Sequence, residues 1–274
     1  AGVSRNTYSQ FDVGSSQTVV LNNNRFSNPW LATGSARVIL NEVNSSNPSN
    51  LAGQITVEGF APGGARTDVV FANPSGININ GVNFFGAGRV TMTTGAPVVT
   101  GGALTGFNVT KGNIDIASMG MAVNGAGSFA DIISRSAVIG GVVRADQAIN
   151  VVTGPQSVDY ATGATTPLTG AGTKPALAID TKALGGMYAG SITLLSTEAG
   201  VGVRNQGTLQ ANTGSGQLIV TADGRLENTG RMDSAYTSVA TVAGNIDNSG
   251  KLLGRKLLMA SAGADFNHSG CLLY

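Results

Sequence analysis

The side chains able to do chemistry are few and poorly placed for it. The chain holds one histidine, His268, and one cysteine, Cys271. A Ser-His-Asp triad would have to pass through His268. That residue instead occupies the asparagine slot of a repeat, so it reads as a turn residue. A single cysteine excludes an internal disulfide and a multi-cysteine zinc site. Cys271 reads as a small buried hydrophobe or a free thiol. Polysaccharide-cleaving sites need two carboxylates close together or an acidic calcium cluster. The 15 acids here are scattered. Only stacking of distant segments would bring Asp115, Asp131 and Asp146 together, and no motif supports it. Lys251, Arg255 and Lys256 form a small basic group that could take a sulfated sugar, but a solvated face is the plainer reading. No catalytic residue, no metal ligand and no cofactor are expected.

The elements that would position any site are β-strands. Charged residues are 11% and glycines 40 of 274, against roughly 25% and 7% in ordinary domains. Thr, Ser, Asn and Gly therefore supply the polar surface and the turns, which favours short strands over helices. Hydrophobic residues make up 42%, enough for a long core. The net charge of +1 gives no drive toward nucleic acid or anionic lipid. No apolar run is long enough to span a bilayer. The opening Ala1-Gly2-Val3 shows no signal peptide, so one is either lacking or removed.

One pattern occurs four times in the last third: apolar, any, Asn, any, Gly, any, apolar. It runs from Val203 to Leu209 around Asn205 and Gly207, and from Leu226 to Met232 around Asn228 and Gly230. It returns from Ile246 to Leu252 around Asn248 and Gly250, and from Phe266 to Leu272 around His268 and Gly270. The glycines lie 23, 20 and 20 residues apart. That period suits coils of two or three short strands that stack on one another, since such a unit cannot bury its apolar face alone. In this reading Asn and Gly take a left-handed bend, and stacked bends let the asparagines form a ladder.

Further strand-like segments precede these repeats, among them Arg37–Leu40, Gln54–Glu58, Asp68–Phe71, Arg89–Thr93, Asn113–Ile116, Ala148–Val152 and Ser191–Leu195. The stretch 154–175 is rich in Gly, Thr and Pro and reads as a loop or hairpin excursion. The chain is read as a single domain over 1–274. Residues 1–35 form an N-terminal cap over the open edge of the stack. Residues 36–200 form a β-helix with excursions, and 201–274 hold the regular repeats.

Ordered signatures then carry a resemblance. Ala36–Val43, with Asn41 and Glu42, is similar to an "ILNEV" strand. Asn73-Pro74-Ser75-Gly76-Ile77 resembles an Asn-Pro-Asn-Gly-Ile signature with Ser in third place. Asn28-Pro29-Trp30-Leu31 stands where Asn-Pro-Asn-Leu is usual. Ala183–Ala189 and Leu195–Val203 resemble the filamentous haemagglutinin branch. Up to about residue 260 the chain resembles the N-terminal secretion domain of two-partner secretion exoproteins. That group includes filamentous haemagglutinin and the contact-dependent growth inhibition effectors. A cysteine pair common there is replaced here by Ile79 and Val82.

The resemblance implies an all-β fold, a right-handed parallel β-helix with an N-terminal cap, preceded by a signal peptide that is removed. It implies recognition in the periplasm by the polypeptide-transport-associated domains of an outer-membrane transporter, and export of a far larger, secreted or cell-surface protein of a Gram-negative bacterium. That protein would be a virulence adhesin or a growth-inhibition toxin stalk. The domain itself is expected to be monomeric. Two rival classes stay open: an adhesin module binding host glycan or protein directly, and a β-helical enzyme. Taken alone, Asn73–Ile77 is a β-turn in which Pro presets one dihedral and Gly takes positive φ. The resemblance adds a role in transporter recognition. Trp30 is either a cap residue or an exposed contact for the transporter.

Overall fold

The computed structural model describes residues 2–31, 34–212 and 216–273. Its strands wind into a parallel β-helix with three faces. The first face stacks Val3–Tyr8, Val38–Val43, Thr67–Ala72, Ala87–Thr93, Phe129–Ser134, Ala148–Thr153, Ser191–Ser196 and Gln217–Ala222, then the later halves of Arg231–Thr241 and Lys251–Ser261. These make ten rungs. The second face runs from Ser49–Leu51 to Phe266–His268. The third runs from Thr18–Asn22 to Cys271–Leu273. All of these pairings are parallel, as the stacking of 20-residue repeats requires.

Alternation along each strand builds the core. Ile39, Val69, Val90, Ile132, Val151, Ile192, Leu218 and Val239 of the first face all point inward and are buried. Near the N-terminal end the interior is aromatic. Phe11 stands 5.0 Å from Tyr8 and 5.1 Å from Phe71, and Phe71 is 6.0 Å from Phe84. The segment expected to cap the stack contributes strands of its own, Val3–Tyr8 and Thr18–Asn22, and Val13 bridges to Leu51. It therefore forms one full turn, with Phe11 packed on the core.

The repeat glycines play a different part from the one expected. Gly207, Gly230, Gly250 and Gly270 are absent from the positive-φ residues, and no described non-glycine residue has positive φ either. What requires glycine is contact between coils. A Cβ on Gly230 would lie 2.1 Å from the carbonyl oxygen of Gly207, and one on Gly250 2.2 Å from that of Gly230. The asparagine ladder is as expected. Asn205 donates to Asn228 at 2.8 Å, Asn228 donates to Asn248 at 2.6 Å, and Asn248 meets His268 Nδ1 at 3.0 Å. The three asparagines are buried, so each needs these partners.

Excursions leave the helix at the corner between the first and second faces. The stretch 154–175 holds strands Gln156–Asp159 and Thr165–Pro167, paired antiparallel. A second hairpin pairs Ala96–Thr100 with Ala103–Val109, a stretch not predicted to form strands. Its tip, Gly101-Gly102, has positive φ at both residues, as a two-residue hairpin turn demands. The two hairpins join into one four-stranded antiparallel sheet lying against the outer side of the first face.

Candidate recognition site

The two turn signatures sit at different corners. Asn28–Leu31 follows the first strand of the third face, whereas Asn73–Ile77 follows a strand of the first face. They are not brought together.

Asn28 closes its own loop. Its Nδ2 donates to the carbonyl of Asn22 at 2.8 Å, and its Oδ1 accepts from the backbone N–H of Trp30 at 3.1 Å. Pro29–Leu31 is a single 3₁₀ turn, with Leu31 buried and Trp30 92% exposed. Phe26 is 86% exposed, and the Arg25 guanidinium lies 4.7 Å from its ring centre. Phe60, in the loop stacked beneath, and Val20, on the adjacent strand, are exposed as well. A cleft beside this corner, at the N-terminal end of the helix, is lined by Asn6, Tyr8, Asn22, Asn28 and Leu31 among others. Large exposed apolar side chains gathered at one corner are the kind of feature that marks an interaction surface.

Asn73 is the reverse case, with only 1% of its surface exposed. Its Nδ2 donates to the Asn47 carbonyl and to Ser49 Oγ, each at 3.0 Å. Its Oδ1 accepts from Ser75 N–H at 2.9 Å, and Gly76 N–H bonds to the Asn73 carbonyl. Gly76 has φ 112° and Ile77 is fully buried. Ser75 turns its hydroxyl to the Ser45 carbonyl at 2.9 Å, so the departure from Asn at this place supplies a bond of its own. The turn signature at Asn73–Ile77 faces inward, and Pro74 and Ser75 are its most exposed members.

Asn41 also points inward. Its Oδ1 receives Asn6 Nδ2 and the Tyr8 hydroxyl, and its Nδ2 reaches the Val70 carbonyl. Glu42 points outward and pairs with Arg5 of the strand above. Both residues tie the first rung to the second. Asn23 is a functional residue that no motif marks. Its buried carboxamide bonds N–H and C=O of Ala36 and the hydroxyl of Thr67, and so anchors the loop that carries Trp30. The only sequence signal was the Asn22-Asn23-Asn24 run, which reads equally well as surface.

The catalytic candidates do not assemble. Asp115 lies on the second face, Asp131 on the first, and Asp146 at the corner between the third and first, where it accepts Gly127 N–H. Asp131 is saturated by Arg89, by Thr91 at 3.1 Å and by Asn150 at 2.8 Å. Among the described residues no His/Cys/Asp/Glu group is arranged to hold a metal ion. Arg255 is held by Asp233 at 2.6 Å, and Lys256 stands over the Tyr236 ring. No described helix is long and apolar enough to cross a membrane.

The family model of the TPS secretion domain matches residues 1–228. A relative called Toxin CdiA, from Yersinia pestis, is 43% identical over 85% of this chain and 7% of its own length. Filamentous hemagglutinin of Bordetella pertussis is 38% identical over 77% of the chain and 6% of its length. A relative named tRNA nuclease CdiA-2, from Burkholderia pseudomallei, is 38% identical over 86% of the chain and 8% of its length. The chain thus spans under a tenth of these relatives. The crystal structure of a filamentous hemagglutinin secretion domain superposes with TM-score 0.72 at 32% identity, covering 99% of this chain and 89% of that one.

Proposed function

The chain belongs to the TPS secretion domain family, a non-catalytic family, and from that premise we propose that it delivers a much larger exoprotein to a dedicated outer-membrane transporter. The observation that carries the proposal is the corner at Asn28–Leu31, where Trp30 and Phe26 stand almost wholly exposed on a loop fixed by Asn28 and Asn23. Periplasmic domains of the transporter would read this corner. The turn Asn73–Ile77 would act through the fold, since its asparagine is buried. Of the two roles expected for that turn, shaping the fold and aiding recognition, its burial supports the first.

Past the pore, coils would add one at a time. Each buries apolar side chains and pairs its backbone with the coil before it, so the N-terminal turns would template the rest. The exoprotein would be secreted or displayed at the cell surface, as an adhesin or a growth-inhibition toxin stalk. The nuclease named in one relative would lie outside the portion it shares with this chain. Among the described residues no feature favours direct binding of host glycan by this domain.

The test is a secretion assay with the cognate transporter, paired with thermal melts of the purified domain. Trp30→Ala and Phe26→Ala are expected to keep the wild-type Tm and to lose export. Asn73→Ala is expected to lose export in proportion to lost stability. Wild-type export by the double variant Trp30→Ala/Phe26→Ala would remove this corner from recognition.

A further inference from the structure

In a solenoid each coil touches only its neighbours, so stability propagates by nearest-neighbour terms. The four-stranded outer sheet breaks that rule. The tip of its first hairpin reaches the first rung, where Val3 N–H donates to the Gly102 carbonyl at 3.2 Å. Its body buries Leu104, Phe107, Val109 and Val158 against Val38 and Leu40 of the second rung, Val70 and Ala72 of the third, Ile133 of the fifth and Val152 of the sixth. Val3 of the first rung and Leu195 of the seventh pack against the same cluster. One sheet therefore covers the outer side of seven successive rungs.

Polar pins fix it in place. The Tyr160 hydroxyl donates to Asp68 Oδ2 at 3.0 Å, and its ring meets Phe107 edge-on at 5.9 Å. Arg89 of the fourth rung donates to the Tyr160 carbonyl at 3.1 Å and lies 4.9 Å from the Tyr160 ring centre. Arg135, paired with Glu198, donates to the Ala171 carbonyl at 2.6 Å. The pins tie the outer sheet to rungs far from it in sequence, with Asp68 and Tyr160 separated by 92 positions.

We propose that this outer sheet is a strap that makes rungs one to seven, residues 3–196, a single cooperative unit, and that the rungs from Gln217 onward open by nearest-neighbour steps. Cover, and not composition, separates the two regions. Val38, Leu40, Val70, Ile133 and Val152 point outward and are buried under the strap, whereas the outward Leu257 and Met259 beyond it stand 47% and 56% exposed. A strap of this kind makes the exposed first turn as hard to open as the middle of the helix.

Native-state hydrogen exchange on the 274-residue chain tests it. Amides of Val3–Tyr8, Thr67–Ala72 and Ser191–Ser196 are expected to share one protection factor within about threefold, with values stepping down from Gln217 toward the C-terminus. Phe107→Ala should lower protection at Val3–Tyr8 and at Ser191–Ser196 by a common factor of about a hundred or more, and leave Ile246–Asn248 unchanged. Tyr160→Phe keeps the ring and removes one pin. It should lower the same two sets together by about tenfold, and serves if Phe107→Ala does not fold. Loss of protection confined to 96–109 and the strands directly beneath, with Val3–Tyr8 unchanged, would overturn the strap.

Discussion

Asn73 and Trp30 each belong to a turn signature, and burial separates their roles. The Asn73 carboxamide is fully engaged inside the turn, so Asn73→Ala strands the Asn47 carbonyl and opens the turn. A loss of about 1–3 kcal/mol follows from leaving buried groups unpaired, readable in urea unfolding. Trp30 is 92% exposed, and Trp30→Ala should leave the urea midpoint unchanged. Asn228 sits mid-ladder between Asn205 and Asn248. Asn228→Ala removes both bonds, with an expected loss of about 2–3 kcal/mol. A loss under about half a kcal/mol would show that the ladder adds nothing to stability. The ladder was legible in the sequence because its period is regular. Asn23 was not, because nothing local distinguishes a carboxamide that reaches 13 and 44 residues away from one in water.

At the scale of the elements, the coil-to-coil approach makes the repeat glycines indispensable. Gly230→Ala drives a methyl to 2.1 Å from the Gly207 carbonyl oxygen, and should destabilise by at least about 2 kcal/mol. Gly163→Ala meets open space, so any loss there comes from its positive φ alone and should be the smaller of the two. Period and composition revealed which residues were glycine, but the reason lay in the neighbouring coil. Electrostatics gives a second prediction, of opposite sign at two places. Burial pushes the Asp180 carboxyl up, but hydrogen bonds from Arg204 and Lys182 more than reverse this and hold it below the usual range. Its stabilisation is present above the ordinary carboxylate pKa and is lost as pH falls through the lowered one, below about pH 4. Burial raises Asp68, and the Tyr160 hydroxyl and Arg89 only partly oppose it. Folding there favours the neutral acid, so the penalty present above its raised pKa is relieved as pH falls through that value. Urea midpoints followed from pH 7 to pH 3 should show Asp180→Asn losing less than wild type at the acid end. Asp68→Asn should lack the wild-type gain at milder acidity. The reverse pattern would contradict both assignments.

For the whole molecule, the three-faced helix follows from features legible in the chain: short alternating strands, frequent turns and a period near 20. The outer sheet was half legible. The stretch 154–175 announced itself by composition, whereas 96–109, with its Gly101-Gly102 turn, was not expected to form strands. That hairpins separated by the stretch from Val109 to Gln156 would share one sheet is a tertiary fact with no local signal. The chain's membership of a secretion-domain family rests on signatures in order and on relatives more than ten times its length. The most direct test of delivery to the transporter is export of this domain, fused behind a Sec signal peptide, from cells with and without the cognate transporter. Folded domain should reach the medium only when the transporter is present, and should be lost from it with Trp30→Ala/Phe26→Ala at unchanged Tm. Equal export without the transporter would contradict it.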